Sequence, residues 1–375
     1  MSGGLKLLHV ADVHLGKAFQ MLGAQGAAQR RTLEDTFVRA VDLAIAQQVH
    51  VVLIGGDLFD SPRPSATLVE LAERQLRRLD DRGIWVAMVA GNHDVAPDGF
   101  VGGSNRLREA GTHVVLFGRT VETRPVPGLD LTITGRSADP GTPASPLAAW
   151  PKQRPLRFAV GVTHGSVYRG GQVEGPAAMH PQEIRDLGLD YLALGDWHSA
   201  SEVVPAPTPA WYAGSPEWLA YDQEGAGHVL LIDIPAPGQA TVTAERVGRR
   251  QYKRLEIDAG AGDEAALRKA LEDASDTEAV CDVLLTGVVP VERVVNAAAV
   301  EREYADRFFR LRVQSKVHLW LDDEQLGRLP NDSVLGRFVR LMHTRLAEAS
   351  EAQRPTLEEA LQVGVALLQG REVLS

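Results

Sequence analysis

The amino-acid sequence predicts a layered α/β body followed by a small α+β domain and a helical C-terminal segment. Two observations predict the body. Apolar, β-branched runs each stop abruptly at glycine and polar residues, and amphipathic stretches lie between them. A third sets the remainder apart: after Pro235 to Gly238 the alternation gives way to a shorter strand and helix series, then to helix alone. The length of 375 residues is enough for two or three domains.

The body occupies residues 1–240. Its apolar runs are Leu5 to Ala11, Val49 to Ile54, Ile84 to Ala90, His113 to Phe117, Phe158 to Thr163, Tyr191 to Leu194 and His228 to Ile232. Arg30 to Gln48 and Ser65 to Arg82 carry apolar residues at spacings of three and four, the period of a helix with one buried face. In the second, Leu68, Leu71, Ala72, Leu76 and Leu79 form a stripe, and Arg74, Arg77, Arg78 and Asp81 face away. Arg136 to Pro155 and Pro205 to Pro209 are rich in turn residues and read as surface loops.

Residues 241–320 read as a capping domain. Ala240 to Val247, Tyr252 to Ile257 and Val280 to Val288 look like strands, and Asp263 to Ala274 and Val291 to Tyr304 like helices. Residues 321–375 read as helical. Val334 to Ala349 carries Leu335, Phe338, Val339, Met342 and Leu346 on one face, and Pro355 to Leu368 carries Leu357, Ala360, Leu361, Val365 and Leu368. Neither stripe can be buried by its helix alone, so the pair is expected to dock on the body, a second copy or a partner.

Composition narrows the class. With 44% hydrophobic and 23% charged residues, the chain is neither disordered nor fibrous. The net charge of −10 argues against indiscriminate polyanion binding, though a local basic patch stays compatible with it. Cys281 is the single cysteine, which excludes an intramolecular disulfide and a thiolate zinc site and fits a reducing, cytoplasmic setting. Met1 to Gly4 leads straight into an apolar run without a basic region, so no signal peptide is expected, and no run is long enough for a membrane span.

Five apolar runs end in polar clusters. These are Asp12-Val13-His14, Gly56-Asp57-Leu58-Phe59-Asp60, Gly91-Asn92-His93-Asp94, Thr163-His164-Gly165 and Gly195-Asp196-Trp197-His198. Ligands of α/β sheets bind beyond the carboxyl ends of strands, so five such ends can converge although they are far apart in sequence. The residue types are those of an oxygen and imidazole metal site. In Asp12-x-His14 and Asp196-x-His198, extended backbone would put both side chains on one face. Any one fragment alone also fits a turn or a structural histidine; the five in this order do not.

The series resembles the calcineurin-like metallophosphoesterases, whose motifs run Asp-x-His, Gly-Asp-x-x-Asp, Gly-Asn-His-Asp, a lone His, and Gly-His-x-His. Within them, Leu7 to Gly16, Gly55 to Asp60 and Tyr212-Ala213-Gly214-Ser215-Pro216-Glu217 look most like the SbcD-type nuclease subunit of DNA repair exonucleases. The resemblance covers about residues 5 to 235 and implies a layered β-sandwich flanked by helices. Farther on it is architectural, implying a cap that binds DNA and a helical segment that binds an SMC-like, SbcC-like ATPase. It also implies a homodimer through the helices after Ser65, although a solvated face explains those residues equally well.

Carried over position by position, the resemblance implies that Asp12, His14, Asp57 and His198 hold one metal, and Asp57, Asn92, His164 and Asp196 a second, with Asp57 bridging. His93 is implied to stabilise or protonate the leaving oxygen, its ring held by Asp94 or Asp60. Two divalent ions can clamp the attacking and leaving oxygens of an in-line displacement. Mixed oxygen and nitrogen ligands favour Mn²⁺, with Mg²⁺ or Fe as alternatives. One position departs from the pattern: Asp196 stands where the family has histidine. A third carboxylate makes the centre less positive and favours harder cations; alternatively, Asp196 does not ligate.

Three functions follow. The first is a two-metal DNA exo/endonuclease subunit acting in end processing with the ATPase. It draws on the basic residues Arg246, Arg249, Arg250, Lys253 and Arg254, and Arg302, Arg307, Arg310 and Arg312, which also fit solvated or salt-bridged faces. The second is a stand-alone phosphodiesterase or phosphatase for nucleotides or other small phosphoesters. The third, a non-catalytic scaffold, is disfavoured by the intact Asp57, Asn92 and His93.

Overall fold

A computed structural model describes residues 3–95, 104–139, 141–142, 144–152, 154–168, 178–220, 223–261, 264–290, 293–320, 330 and 332–368. They fall in two compact units, residues 1–250 and 251–375. The expected start of the helical segment at Leu321, the helix start at Asp263 and the residues after Leu368 lie outside the described residues. Among the described residues no helix is long and apolar enough to cross a membrane.

The first unit contains two six-stranded sheets. Its strands are β1 (Leu5–Val10), β2 (Val51–Ile54), β3 (Trp85–Met88), β4 (Val114–Leu116), β5 (Glu122–Val126) and β6 (Leu131–Arg136). They continue with β7 (Phe158–His164), β8 (Tyr191–Gly195), β9 (Ser201–Val204), β10 (Ala210–Tyr212), β11 (His228–Ile234) and β12 (Thr241–Arg246). One sheet runs β12-β11-β1-β2-β3-β4 and the other β5-β6-β7-β8-β10-β9. Strands β1, β2, β3 and β4 are mutually parallel, as are β6, β7 and β8, so the carboxyl ends of each set share one edge.

Both faces of the first sheet are covered, which is why its strands read as unbroken apolar runs. Leu8, Val10, Val52, Ile54 and Met88 pack with Phe37 and Ala40 of α1 (Gly26–Ala46) and with Leu76 and Leu79 of α2 (Ala66–Asp80). Alternate residues Leu7, Val51, Leu53 and Ala87 meet Ile133, Val160, Val162 and Ala193 of the second sheet. Truncating one such side chain, Leu53→Ala, would cost about 2–5 kcal/mol. Ser65 starts α2 by accepting the Leu68 amide on its hydroxyl at 3.4 Å. Short helices α3 (Ser104–Arg108) and α4 (Pro181–Arg185) complete the unit. The architecture is the sandwich flanked by helices that the sequence implied.

Three details differ from the sequence reading. Strands β5 and β6 belong to the second sheet, although their sequences carry no long apolar run. Residues 241–246 pair with β11 in the first sheet rather than starting a separate fold. The Arg136 to Pro155 stretch is not wholly superficial, because Leu147 and Trp150 are buried against β7 and β8 residues.

In the second unit, β13 (Gln251–Asp258), β14 (Asp276–Thr286) and β16 (Phe308–Ser315) form a parallel sheet. Its crossovers carry α5 (Glu264–Ala274) and α6 (Ala297–Tyr304), whose Leu267, Leu271, Val300 and Tyr304 cover Cys281, Val283 and Leu311. β15 (Val288–Pro290) pairs with β17 (His318–Trp320). The two last helices, α7 (Val334–Glu348) and α8 (Arg354–Leu368), bury their stripes against each other through Val339, Met342, Leu361 and Val365. That mutual packing answers the docking question for most of both stripes, while Val334, Leu341, Leu367 and Leu368 stay exposed.

Several of the basic residues are engaged within their own units. Arg250 is buried and donates from Nε to Gln29 Oε1 at 2.9 Å. Arg312 grips Asp282 with two hydrogen bonds, 2.7 and 2.6 Å, and Arg307 pairs with Glu272 at 3.8 Å. Arg250 and Arg312 read as structural rather than as an open phosphate track, whereas the Arg307 side chain is 52% exposed.

Candidate metal centre

The five polar clusters converge. Backbone hydrogen bonds stitch the ends of β1 and β2 together, Asp12 N to Gly56 O at 3.1 Å and His14 N to Asp57 O at 2.9 Å. Across the sandwich, His164 at the end of β7 places Nδ1 2.9 Å from Gly55 O, and Asp196 N after β8 donates to Asp12 Oδ1 at 2.9 Å. The approach is close enough to require glycine twice. A Cβ on Gly91 would sit 2.1 Å from Asp57 Oδ1, and one on Gly195 would sit 2.1 Å from Gly55 O. Asp12, His14, Asp57 and Asp196 all have positive φ, a strained backbone region for side-chain-bearing residues, and all four fall at these strand ends.

Among the described residues three groups of ligand-type atoms meet here, Asp12 with His14 and His198, Asp12 with Asp57 and His164, and His14 with Asp60 and His93, so Asp12 and His14 each belong to two. Asp57 reaches beyond its own group: its Oδ2 is 3.6 Å from His14 Nε2 and 3.7 Å from His164 Nε2. Asn92 Oδ1 is 2.8 Å and Asp196 Oδ1 3.7 Å from the same His164 nitrogen. On the other side, His14 Nε2 and His198 Nε2 face each other at 3.2 Å. All seven predicted ligand positions therefore meet in one cluster.

The outer atoms fix which nitrogens point inward. His14 Nδ1 lies 3.0 Å from Asp60 Oδ1, and His164 Nδ1 bonds the Gly55 carbonyl, so both rings present Nε2 to the cluster. His198 Nδ1 meets the amide of Gln223 at 2.5 Å. The other amide atom of Gln223, Oε1, is buried without a hydrogen-bond partner. Asp196 Oδ2 accepts from Ser166 Oγ at 2.5 Å, leaving Oδ1 toward His164. Gln223 and Ser166 carry no motif signal, and sequence reasoning missed both.

His93 stands at the mouth with its side chain 42% exposed. Its amide donates to Asp57 Oδ1 at 2.9 Å, and its Nδ1 lies 3.8 Å from Asp60 Oδ1. Asp94 is fully buried and accepts the Gly91 amide at 2.7 Å and the Phe59 amide at 3.2 Å. Asp94 thus braces the turn, and Asp60 is the carboxylate beside the His93 ring. Lys17 Nζ also approaches Asp60, at 3.8 Å.

The electrostatics are those of buried acids held close together. Burial, reinforced by Asp57 and Asp196, pushes the Asp12 carboxyl well above the carboxylate range although His164 opposes it. Burial and Asp57 raise Asp94 to about 7. Burial works against His164 protonation, yet Asp57, Asp12 and Asp196 outweigh it and hold that imidazole up at about 9. His198 goes the other way, lowered to about 4 by burial and by His14. Two observations test whether divalent ions fit. Asp12 Oδ2 is buried without a hydrogen-bond partner, a costly state that a cation would relieve. The 3.2 Å between His14 Nε2 and His198 Nε2 is the spacing of two imidazoles that share one cation at about 2.1 Å. The residues fit the group.

The sequence pattern of calcineurin-like phosphoesterases matches residues 5–200. The chain is 28% identical over 289 residues to the DNA double-strand break repair protein Mre11 of Aeropyrum pernix, covering 68% of this chain and 64% of that protein. Against the Mre11 of Methanopyrus kandleri the identity is 29% over 277 residues, with coverage of 68% and 57%. Against the SbcD component of the SbcCD nuclease of Bacillus subtilis it is 26% over 278 residues, with coverage of 63% and 68%. The chain thus spans between 57% and 64% of the length of the two archaeal relatives.

Proposed function

The chain belongs to the calcineurin-like phosphoesterase family, and from that premise we propose that it is a two-metal DNA exo/endonuclease subunit that hydrolyses phosphodiester bonds in end processing and repair. The observation that carries the reaction class is the position of Asp57, whose Oδ2 lies between the imidazoles of His14 and His164. Asp12, His14, Asp57 and His198 would hold one divalent ion, and Asp57, Asn92, His164 and Asp196 the other, with Mn²⁺ the cation best suited to the mixed donors. Such ions supply positive charge to a phosphoryl oxygen and acidify water.

The chain's own residues do the remainder. Asp60 holds His14 in the orientation that turns Nε2 inward and lies beside His93 Nδ1. The His93 ring would then donate a proton from Nε2 to the leaving ester oxygen as a water oxygen bonds to phosphorus and the ester phosphorus–oxygen bond breaks. Asp94 and the Gly91 turn keep His93 at the mouth.

DNA is favoured as substrate by the relatives, two of which are named for double-strand break repair and one as part of a nuclease. A nuclease subunit needs a partner, and the exposed Val334, Leu341, Leu367 and Leu368 on α7 and α8 offer an apolar surface for an SMC-like ATPase. A buried, unpaired Cys281 suits work in the cytoplasm. Engagement of Arg250 and Arg312 inside the fold favours the second reading, a stand-alone phosphodiesterase for small substrates. Purified protein with Mn²⁺ should cleave linear DNA, and an ATPase should copurify with it. Hydrolysis of a small phosphodiester with single- and double-stranded DNA left intact, even beside the ATPase, would establish the second reading instead.

A further inference from the structure

Lys17 follows the Asp12-x-His14 motif, and the backbone sets it alongside Asp60. Leu15 N donates to the Leu58 carbonyl at 2.9 Å, Asp60 N donates back to the Leu15 carbonyl at 3.0 Å, and Lys17 N closes a turn onto the His14 carbonyl at 3.0 Å. Gly16, at φ 97°, permits that turn. The Lys17 ammonium comes within 3.8 Å of Asp60 Oδ1, the same oxygen that lies 3.0 Å from His14 Nδ1 and 3.8 Å from His93 Nδ1. His198, lowered to about 4 by burial and then by His14, feels the Lys17 charge as well. At 3.8 Å the Lys17 and Asp60 pair is too long for a hydrogen bond, and its side chains are 25% and 26% exposed. A pair of that kind adds little to the stability of the fold. It does keep an ammonium with three donors, on a flexible stem, at the rim beside His93.

We propose that Lys17 is a specificity-determining residue that binds the phosphate flanking the scissile one on the side of the leaving oxygen, so that the centre prefers a nucleic acid strand to an isolated phosphoester. The proposal rests on the nuclease reading and narrows its substrate. Asp60 Oδ1 takes the outer nitrogen of His14 and Lys17 lies against that oxygen, so the ammonium sits outside the ring of ligands rather than among them. His93 shares the oxygen, which puts Lys17 on the side where the ester bond breaks. A small phosphoester ends there. A strand continues and carries its next phosphate past the rim, where a lysine meets it as a point charge. One cation so placed is compatible with a net charge of −10, because it acts on a phosphate well inside the screening length.

The test compares Lys17→Met and Lys17→Arg with wild type in Mn²⁺ on two single-stranded oligonucleotides. They differ at one linkage, the first in the fragment released with the new hydroxyl, which is an ordinary phosphodiester in one strand and an uncharged methylphosphonate in the other. On the ordinary strand Lys17→Met should raise KM about tenfold with kcat nearly kept, and Lys17→Arg should recover most of the loss. The slope of log KM against log salt should fall by about 0.7 in Lys17→Met, the share of one phosphate contact. On the methylphosphonate strand the KM penalty should shrink to less than about twofold. Mn²⁺ stoichiometry, measured separately, should match wild type. An unchanged KM, an equal penalty on both strands or an unchanged salt slope overturns the role of Lys17 and leaves the nuclease reading standing. Loss of Mn²⁺ in Lys17→Met overturns it too, by placing the defect at Asp60. Wild-type protein that cleaves neither strand overturns both.

Discussion

The Nδ1 of His14 lies 3.0 Å from Oδ1 of Asp60, and this one contact decides which face of the His14 ring is offered to the centre. The same carboxylate oxygen lies 3.8 Å from His93 Nδ1. A histidine whose outer nitrogen is held in this way keeps its tautomer and gains basicity, and losing such a support costs about 10- to 100-fold in metal affinity. Asp60→Asn should weaken Mn²⁺ binding by about that factor while the fold is retained, as read by calorimetric titration. Wild-type affinity in this variant would remove Asp60 from the centre.

His93 should be separable from metal binding. Its ring is exposed at the mouth, and its link to the cluster is the backbone amide bonded to Asp57 rather than the imidazole. His93→Ala keeps that amide. Turnover should fall by about 10²- to 10⁴-fold, the usual contribution of a placed acid, with Mn²⁺ stoichiometry unchanged. Full activity would assign the proton donor elsewhere, and loss of metal would make His93 a ligand.

Asp196 is the departure from the family pattern, and the structure gives it a companion in Ser166. One carboxylate oxygen accepts from Ser166 Oγ and the other faces His164 at 3.7 Å. If Asp196 ligates, Asp196→Ala should reduce Mn²⁺ from two per chain to one and suppress hydrolysis, and Ser166→Ala should weaken the second site by a smaller factor. Elemental analysis finding one Mn²⁺ per chain in wild type, with Asp196→Ala fully active, would sink the assignment.

The cluster was legible in sequence because its carboxylates, amide and imidazoles fall where apolar runs end, three of them directly after glycine, at Asp57, Asn92 and Asp196. Gln223 and Ser166 were not, since their contacts span 25 and 30 residues and depend on how loops pack over His198 and Asp196. Strand β6 was hidden by Thr132 and Thr134, which break its apolar pattern and bond the Phe158 carbonyl and the Thr123 hydroxyl. Strand β12 has the composition of a solvated edge, so its place in the first sheet is set by pairing with β11 rather than by its own side chains. The stripes of α7 and α8 were visible, but that each covers the other follows from geometry alone.

The protonation of the centre fixes the sign of its pH dependence. In metal-free protein Asp94 is raised to about 7 by burial and by Asp57, Asp12 is raised well above its usual range by burial, and His164 is held up at about 9 by Asp57, Asp12 and Asp196 despite burial. Each of these folded-state values exceeds its unfolded one, so these groups cost stability as pH rises, whereas His198, lowered to about 4, and buried His9, lowered to about 3, add stability as pH rises to about 6.5 and oppose them there. For Asp94 the loss runs from about 4 through about 7, and for His164 from about 6.5 through about 9. A divalent cation must displace those protons, so its affinity changes in the opposite direction and strengthens with pH. Above about 6.5 the lowered histidines no longer titrate, so thermal unfolding in EDTA should give a Tm that falls between pH 7 and 9, while the increment added by Mn²⁺ grows over the same interval. A Tm in EDTA that rises with pH, or a Mn²⁺ increment independent of pH, would show that the acids are not gathered as the distances indicate.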